Sequence, residues 1–277
     1  MKNNLRYGLI FKQLRNQKKL PLSFFEKLGV RKSSLSKFER GTSMMSFERI
    51  CLMLEAMDVS VAEYQSCVNN GTPLFLYHFL FEVELAEREL NLSRLEDLLK
   101  EVDIWENVFL FYIIKSKIEP LKELEIAEIV NYLLNIKTWV SLDLALLQCV
   151  LFNLDTAITL NLVKKIENQY ILSQSDLNFH RKIMQIRCDA ILLCCLRGDK
   201  VEAEQLLDEI VNELAADFYI SNLKNLVSGA YTYYFENYEI GLYKLRTSLE
   251  IFESLGSSSI RSFYAQRLKK IGIRDVL

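Results

Sequence analysis

Apolar positions recur every three to four residues along most of the chain, and breakers are rare: 277 residues include nine glycines and three prolines. The first stretch places Tyr7, Ile10, Phe11 and Leu14 at i, i+3, i+4 and i+7, with Lys12, Arg15, Lys18 and Lys19 largely off that face. "PLSFFEKLG" (21–29) reads as a helix of barely two turns, with proline near its start and Gly29 just past its end. "KSSLSKFER" (32–40) has Leu35 and Phe38 as inward anchors and stops at Gly41. "SFERICLMLEAM" (46–57) is expected to bury Phe47, Ile50, Cys51, Leu54 and Met57 behind a Ser46 cap. Ser60-Val-Ala-Glu63 is a capping-box sequence that opens a fifth helix. "NNGTP" (69–73) is the clear punctuation, so the pattern predicts a domain over 1–68, a linker over 69–73 and a second domain over 74–277. Beyond Pro73 the pattern predicts longer helices with short turns, at 74–90, 92–101, 105–117, 120–136, 139–153, 155–171, 175–197, 199–214, 217–236, 238–254 and 258–270. The whole chain is expected to be all-α.

Two segments of the second domain share one form. "DAILLCCLRGDKVEAEQLLDEIV" (189–211) and "GAYTYYFENYEIGLYKLRTSLEIF" (229–252) each give a helix, a tight polar turn and a second helix. The turns, Arg197-Gly198-Asp199 and Glu236-Asn237-Tyr238, are followed by Ala203 or Gly241, small residues where two helices can approach closely. These units resemble tetratricopeptide-type hairpins without the full consensus, which implies a solenoid of helical pairs.

Charge divides the chain more sharply than its net −2 suggests. Residues 1–40 hold eleven Lys/Arg against Glu26 and Glu39; residues 1–70 carry +6 and the remainder −8. A basic head on an acidic body points to a polyanion meeting the N-terminal part. Within that head, "RKSSLSKFERG" (31–41) carries Lys32, Ser33 and Ser34 at a helix N-terminus and Lys37 one turn later. Lysine donates to guanine O6/N7 and serine bonds either way, so these four are the candidate base readers in a major groove. Arg6, Lys12, Lys18, Lys19, Arg40 and Arg49 are candidate phosphate contacts, which need only charge and reach.

The run from "LRNQKKL" through "FFEKLGVRKSSLSKFERG" to "SFERICLMLEAMDVSVAEY" resembles the helix-turn-helix domain of phage-repressor-type and xenobiotic-response-element-type regulators. Leu35, Ser36, Phe38, Glu39 and Gly41 carry its most specific piece. The resemblance implies that Arg15 pairs with Glu39 and braces a scaffold of Arg15, Leu35, Phe38, Glu39 and Gly41, and that the partner is double-stranded DNA. The first turn is one residue short, Pro21 stands where a polar residue is usual, and Phe25 stands where alanine is usual, so altered packing around the second and third helices is expected.

"TWVSLDLALLQCVLFNLD" (138–155), "SGAYTYYFENYEIGLYKLRTSLEIFESLG" (228–256) and the Gly41-to-Arg49 run are similar to the Rgg/GadR/MutR group of transcriptional regulators. That resemblance spans the chain and implies a homodimer whose helical-repeat body binds a short signalling peptide on its concave face. Where many members carry an acid and an asparagine four and ten residues after the tryptophan, this chain has Asp143 and Cys149, so an amide contact does not carry over to Cys149. Candidate peptide contacts are Trp139, Asp143, Asn153, Arg187, Asn222, Asn225, Tyr231 and Tyr234; the aromatic series 231–235 equally suits a hairpin interior. A helical-repeat adaptor that uses its head to bind protein, and a DNA-binding regulator without a peptide, are the rival readings.

Other chemistry is thinly represented. Cys51, Cys67, Cys149, Cys188, Cys194 and Cys195 lack metal-ligand spacing, His78 and His180 are far apart, and no Gly-rich phosphate loop or nucleophile elbow occurs. No metal, cofactor or catalysis is therefore expected, and the cysteines read as buried hydrophobes, with redox activity of the adjacent Cys194 and Cys195 as the alternative. The N-terminus lacks the apolar core of a signal peptide, and the longest apolar run, 74–81, falls below the roughly 18–20 residues of a membrane span, so a cytosolic protein is expected.

Overall fold

The computed structural model describes residues 3–71, 75–103, 106–170, 177–212 and 217–276, which are helical with no strand among them. Thr72 and Pro73 of the expected linker lie outside these residues. The chain packs as two compact units, residues 1–78 and 79–277.

The first unit comprises α1 (Asn3–Gln17), a 3-10 helix (Leu22–Leu28), α2 (Lys32–Glu39), α3 (Phe47–Glu55) and α4 (Val61–Val68), with α5 (Phe75–Arg88) beginning at its end. Its core is Phe11, Phe25, Val30, Leu35, Phe38, Ile50, Met53, Leu54, Met57, Tyr64 and Val68. Phe11 is the hub, with ring centroids 5.8 Å from Phe25, 5.7 Å from Phe38 and 6.5 Å from Tyr64. Phe25 is thus wholly buried at the centre, and the segment expected as a second α-helix is wound as 3-10 between extended Pro21 and left-handed Gly29. Three expectations for 46–57 fail. Phe47 is 68% exposed rather than buried, because the first residue of α3 precedes the turn that faces the core, and Ser46 makes no side-chain cap hydrogen bond. Cys51 is only half-buried. The Ser60 box does form, with Glu63 N–H donating to Ser60 Oγ at 3.1 Å and Ser60 N–H to Glu63 Oε2 at 2.7 Å.

The second unit continues through α6 (Leu92–Asp103), α7 (Val108–Ile118), α8 (Glu123–Asn135), α9 (Ser141–Val150), a 3-10 turn (Leu151–Asn153), α10 (Thr156–Tyr170), α11 (Leu177–Arg197), α12 (Lys200–Val211), α13 (Phe218–Phe235), α14 (Tyr238–Ser254) and α15 (Ser258–Lys270). Successive helices pack in pairs, α6 on α7, α8 on α9, α10 on α11, α11 on α12 and α13 on α14. α11 also packs on α9 and α13 and is buried along most of its length, which is why its apolar residues show no single stripe. Asn107, Asp217 and Asn237 cap α7, α13 and α14 through N–H groups three residues on. The α13–α14 contact is close enough that a Cβ on Gly241 would lie 2.3 Å from the Tyr233 backbone nitrogen. Cys194 and Cys195 are fully buried beside α12, and burial pushes their thiols up to about 11 and about 12, so both stay protonated and act as packing groups.

Candidate functional site

In the first unit, three local devices fix α2. Leu35 and Phe38 anchor its inner face. Gly8 lets α1 come so near that an added Cβ would sit 1.9 Å from the Phe38 carbonyl oxygen. Arg15 grips Glu39 in a two-pronged pair, Nε to Oε1 at 2.6 Å and Nη2 to Oε2 at 2.9 Å, while Nη1 donates to the Leu20 carbonyl at 2.6 Å. Both charges are buried, so the pair holds α1, α2 and the turn after α1 together in a fixed geometry.

On the helix so held, Lys32, Ser33 and Lys37 are exposed and Ser34 is half-buried. Lys12, Lys18, Lys19 and Arg49 are exposed and make no side-chain hydrogen bond or ion pair among the described residues. Arg6 and Arg40 are exposed too, but Arg6 Nη2 donates to Asn69 Oδ1 at 3.4 Å and Arg40 Nε to the Ser36 carbonyl at 3.2 Å. Arg31, the residue before α2, adds an exposed cation that is not among the sequence candidates, although it stands in the same basic run.

In the second unit, a cavity of about 540 Å³ opens among α5, α6, α7, α9, α11 and α15. Its lining mixes apolar Leu90, Leu92, Leu95, Phe152, Leu196, Phe263 and Ile271 with polar Glu87, Ser116, Lys117, Gln148, Gln266, Arg267 and Lys270, and Cys149 stands among them. A small annex of about 30 Å³ shares Glu87, Gln148, Phe263 and Arg267 with it and adds Glu84, Arg88, Lys182, Gln185, Asp189, Tyr219 and Tyr264.

The charges between the two spaces are ordered. Lys117 Nζ stands 3.0 Å from Glu87 Oε2, Arg267 Nη2 stands 2.5 Å from Asp189 Oδ2, and Lys182 pairs with Glu84 and Gln148. Burial pushes the Glu87 carboxyl up, but Lys117 and Arg267, with Lys182 further off, more than reverse this and hold it below the usual range. For Asp189 burial wins over Arg267 and the carboxyl is raised. The Cys149 thiol is pushed up to about 11 by burial and donates to the Leu146 carbonyl at 2.9 Å, so it is a neutral wall group.

None of the eight peptide-contact candidates lines this cavity. Asp143 is buried, accepting the Val140 N–H and the Tyr132 hydroxyl, both at 2.8 Å, and thus caps α9. Asn222 is buried and ties α13 to α14 through the Ser248 carbonyl at 2.8 Å. Arg187 is buried with its Nε 3.1 Å from Glu167, and Trp139 is buried. Tyr231 packs its ring 5.2 Å from Phe235, and the Tyr234 hydroxyl donates to the Ile271 carbonyl. Asn153 and Asn225 are exposed. The residues that sequence reasoning missed have a faint signature: Phe263, Arg267 and Lys270 stand at i, i+4 and i+7 on α15, an aromatic and two cations on one face.

A basic, buttressed helix-turn-helix unit followed by an array of paired helices with a ligand-sized cavity defines a class, the one-chain regulator with a DNA-binding head and a helical body. The chain belongs to the Rgg family of such regulators: residues 86–266 match the family described as HTH-type transcriptional regulator Rgg, C-terminal domain, and residues 11–64 match the helix-turn-helix family. None of the curated proteins compared matches it. Among solved structures it is similar to the Streptococcus dysgalactiae SHP pheromone receptor Rgg2, with a TM-score of 0.75 and 22% identity over 95% of this chain and 99% of that one. A putative transcriptional regulator from Listeria monocytogenes EGD-e gives a TM-score of 0.76 at 13% identity, covering 97% of each chain. The PrgX/cCF10 complex gives 0.63 at 15% identity over 96% of this chain and 92% of that one. At these identities the likeness is one of fold. Among the described residues no helix is long and apolar enough to cross a membrane, and no group of three or more His, Cys, Asp and Glu is placed to hold a metal ion.

Proposed function

We propose that this chain is a cytoplasmic, homodimeric and non-catalytic transcriptional regulator whose operator binding is controlled by a short peptide. Residues 1–68 act as the DNA-binding head, 69–73 as the connection and 74–277 as the dimerising and sensing body. Lys32, Ser33, Ser34 and Lys37 read bases of a roughly palindromic operator, and Arg6, Lys12, Lys18, Lys19, Arg40 and Arg49, together with Arg31, contact phosphates. The cavity carries this reading. It lies in the unit that the Rgg family model covers, its volume of about 540 Å³ falls among ligand pockets of roughly 300–1,000 Å³, and two of the similar structures are described as a pheromone receptor and a complex with cCF10. The peptide therefore sits in the cavity, and six of the eight residues first singled out pack or bond within the array around it, while Asn153 and Asn225 are exposed.

A salt titration of binding to the promoter fragment tests the head. Six or more phosphate contacts predict a steep fall of log K with log[salt], with a slope near −0.9 for each phosphate neutralised. Lys37→Ala is expected to weaken operator binding by about 1–3 kcal/mol and to relax base preference while leaving the melting temperature unchanged. A flat salt dependence would favour the protein-binding adaptor instead.

A further inference from the structure

Of the eight residues of α2, three face the core: Leu35, Phe38 and Glu39. At about 100° per residue, the direction opposite those three falls between Ser33 and Lys37, which stand one turn apart and are both exposed. Arg40 follows on the same line, but its Nε turns back to the Ser36 carbonyl at 3.2 Å, and it lies past the C-terminal end of α2, whereas recognition helices meet base edges with their N-terminal residues. Lys32 and Ser34 stand roughly 90° or more to either side of that ridge. The backbone under the ridge is fixed as well. Thr42 donates to the Lys37 carbonyl through both its N–H and its Oγ1, each at 2.9 Å, and Gly8 of α1 lies against the Phe38 carbonyl.

The ridge offers few kinds of group, and that makes it selective. Lys37 ends in three N–H donors and no acceptor, and its Nζ meets no partner among the described residues. In the major groove guanine presents two adjacent acceptors, O6 and N7, whereas adenine sets a donor beside its N7, cytosine shows a donor, and thymine shows one acceptor beside a methyl group. Ser33 donates or accepts, so it tolerates any edge. α2 holds no asparagine or glutamine to pair with adenine. Its one acid, the kind of group that accepts from cytosine, is Glu39, which Arg15 holds in the core. Four residues of helix rise about 6 Å, or roughly two base-pair steps. Resting on the reading of residues 1–68 as a DNA-binding head, we propose that each operator half-site is selected through one guanine held by Lys37, with Ser33 over a permissive position about two base pairs away. Sequence choice is thereby concentrated on one side chain, and Lys32 and Ser34 meet the groove from its sides.

The test selects duplexes from a random library with the full chain, and again with its Lys37→Ala and Lys37→Gln variants. Lys37 is exposed, so both variants are expected to melt like the parent. The parent is expected to return half-sites with one invariant guanine. Lys37→Ala is expected to flatten choice at that position alone, and Lys37→Gln to turn it to adenine, whose N6 and N7 suit a glutamine amide. Two substituted duplexes then check the groove. 7-Deazaguanine, which lacks the N7 acceptor, is expected to lower the affinity of the parent about fivefold or more. Inosine, which lacks only the minor-groove amino group, is expected to leave it unchanged. An invariant guanine that persists in both variants overturns the place assigned to Lys37. A half-site without a required guanine, or one indifferent to 7-deazaguanine, overturns the guanine and leaves the DNA-binding head standing. Recovery of no duplex above background removes the DNA-binding head and this inference together.

Discussion

Arg15 and Glu39 show how one buried pair can decide the use of a whole helix. Each satisfies the other's charge in two hydrogen bonds, and neither is open to water, so losing one partner strands the other in the core. Arg15→Ala or Glu39→Ala should destabilise the head by roughly 3–5 kcal/mol, read from urea melts, whereas the joint change Arg15→Met with Glu39→Leu should cost much less. Operator affinity separates stability from function here: the double variant keeps the exposed lysines of α2 but loses the fixed tilt, and is expected to bind with less base preference. The same scale explains what could be read from sequence. Glu39 lies in the local pattern with Leu35, Ser36, Phe38 and Gly41 that resembles the helix-turn-helix family, so its pairing with Arg15 was legible through that resemblance. Lys270, on the last turn of α15, looks like any solvated lysine until α5, α6, α7 and α9 are brought around it.

Helices were legible almost throughout because their signals are local: apolar period, caps and breakers. α14 and α15 have the bounds that their pattern predicts, and the turns at 198 and 237 fall where glycine and asparagine ask for them. The 22–28 segment departs because Phe25 is held against Phe11 of α1, outside the segment, and a short run between Pro21 and Gly29 has too few residues to impose α geometry by itself. Two helix-level outcomes follow. Gly241→Ala would gain about 1 kcal/mol of helix propensity, but its methyl meets the Tyr233 backbone, which cannot swing aside, so a net loss of roughly 1–3 kcal/mol is expected in thermal melts. Asp217 caps α13 through the Ile220 N–H at 2.8 Å and meets Arg181 Nε at 2.6 Å. Burial raises its carboxyl, but these donors outweigh burial and hold it below its ordinary 3.8. A lowered folded-state value means that the carboxylate stabilises the fold above its unfolded value and loses that effect as pH falls through the folded one. Asp217→Ala should therefore cost about 1 kcal/mol at neutral pH, and the gap from the parent chain should narrow in melts taken as the pH falls below the ordinary carboxylate value and through the lowered folded-state one.

At the scale of the molecule, the chain carries two surfaces of opposite kind, a basic helix-turn-helix and a cavity in an acidic body. The charge division was legible because it is a property of composition by segment. The cavity was not, because its wall is drawn from residues 87 to 271 and exists only once those helices are packed. If a peptide in the cavity controls operator binding, the two events must be coupled in free energy, and coupling is reciprocal. A peptide that binds the cavity and changes operator affinity by a given factor must have its own affinity changed by that same factor when operator is bound; couplings of this kind are typically about 5–150-fold. Fluorescence anisotropy of a labelled operator with and without saturating peptide gives one factor, and calorimetry of the peptide on free and operator-bound protein gives the other. Agreement, at one protein concentration so that subunit association does not enter, is the expected outcome. A factor of one in both directions would remove control of operator affinity and place the action of the peptide after binding, because a ligand with equal affinity for two states shifts neither.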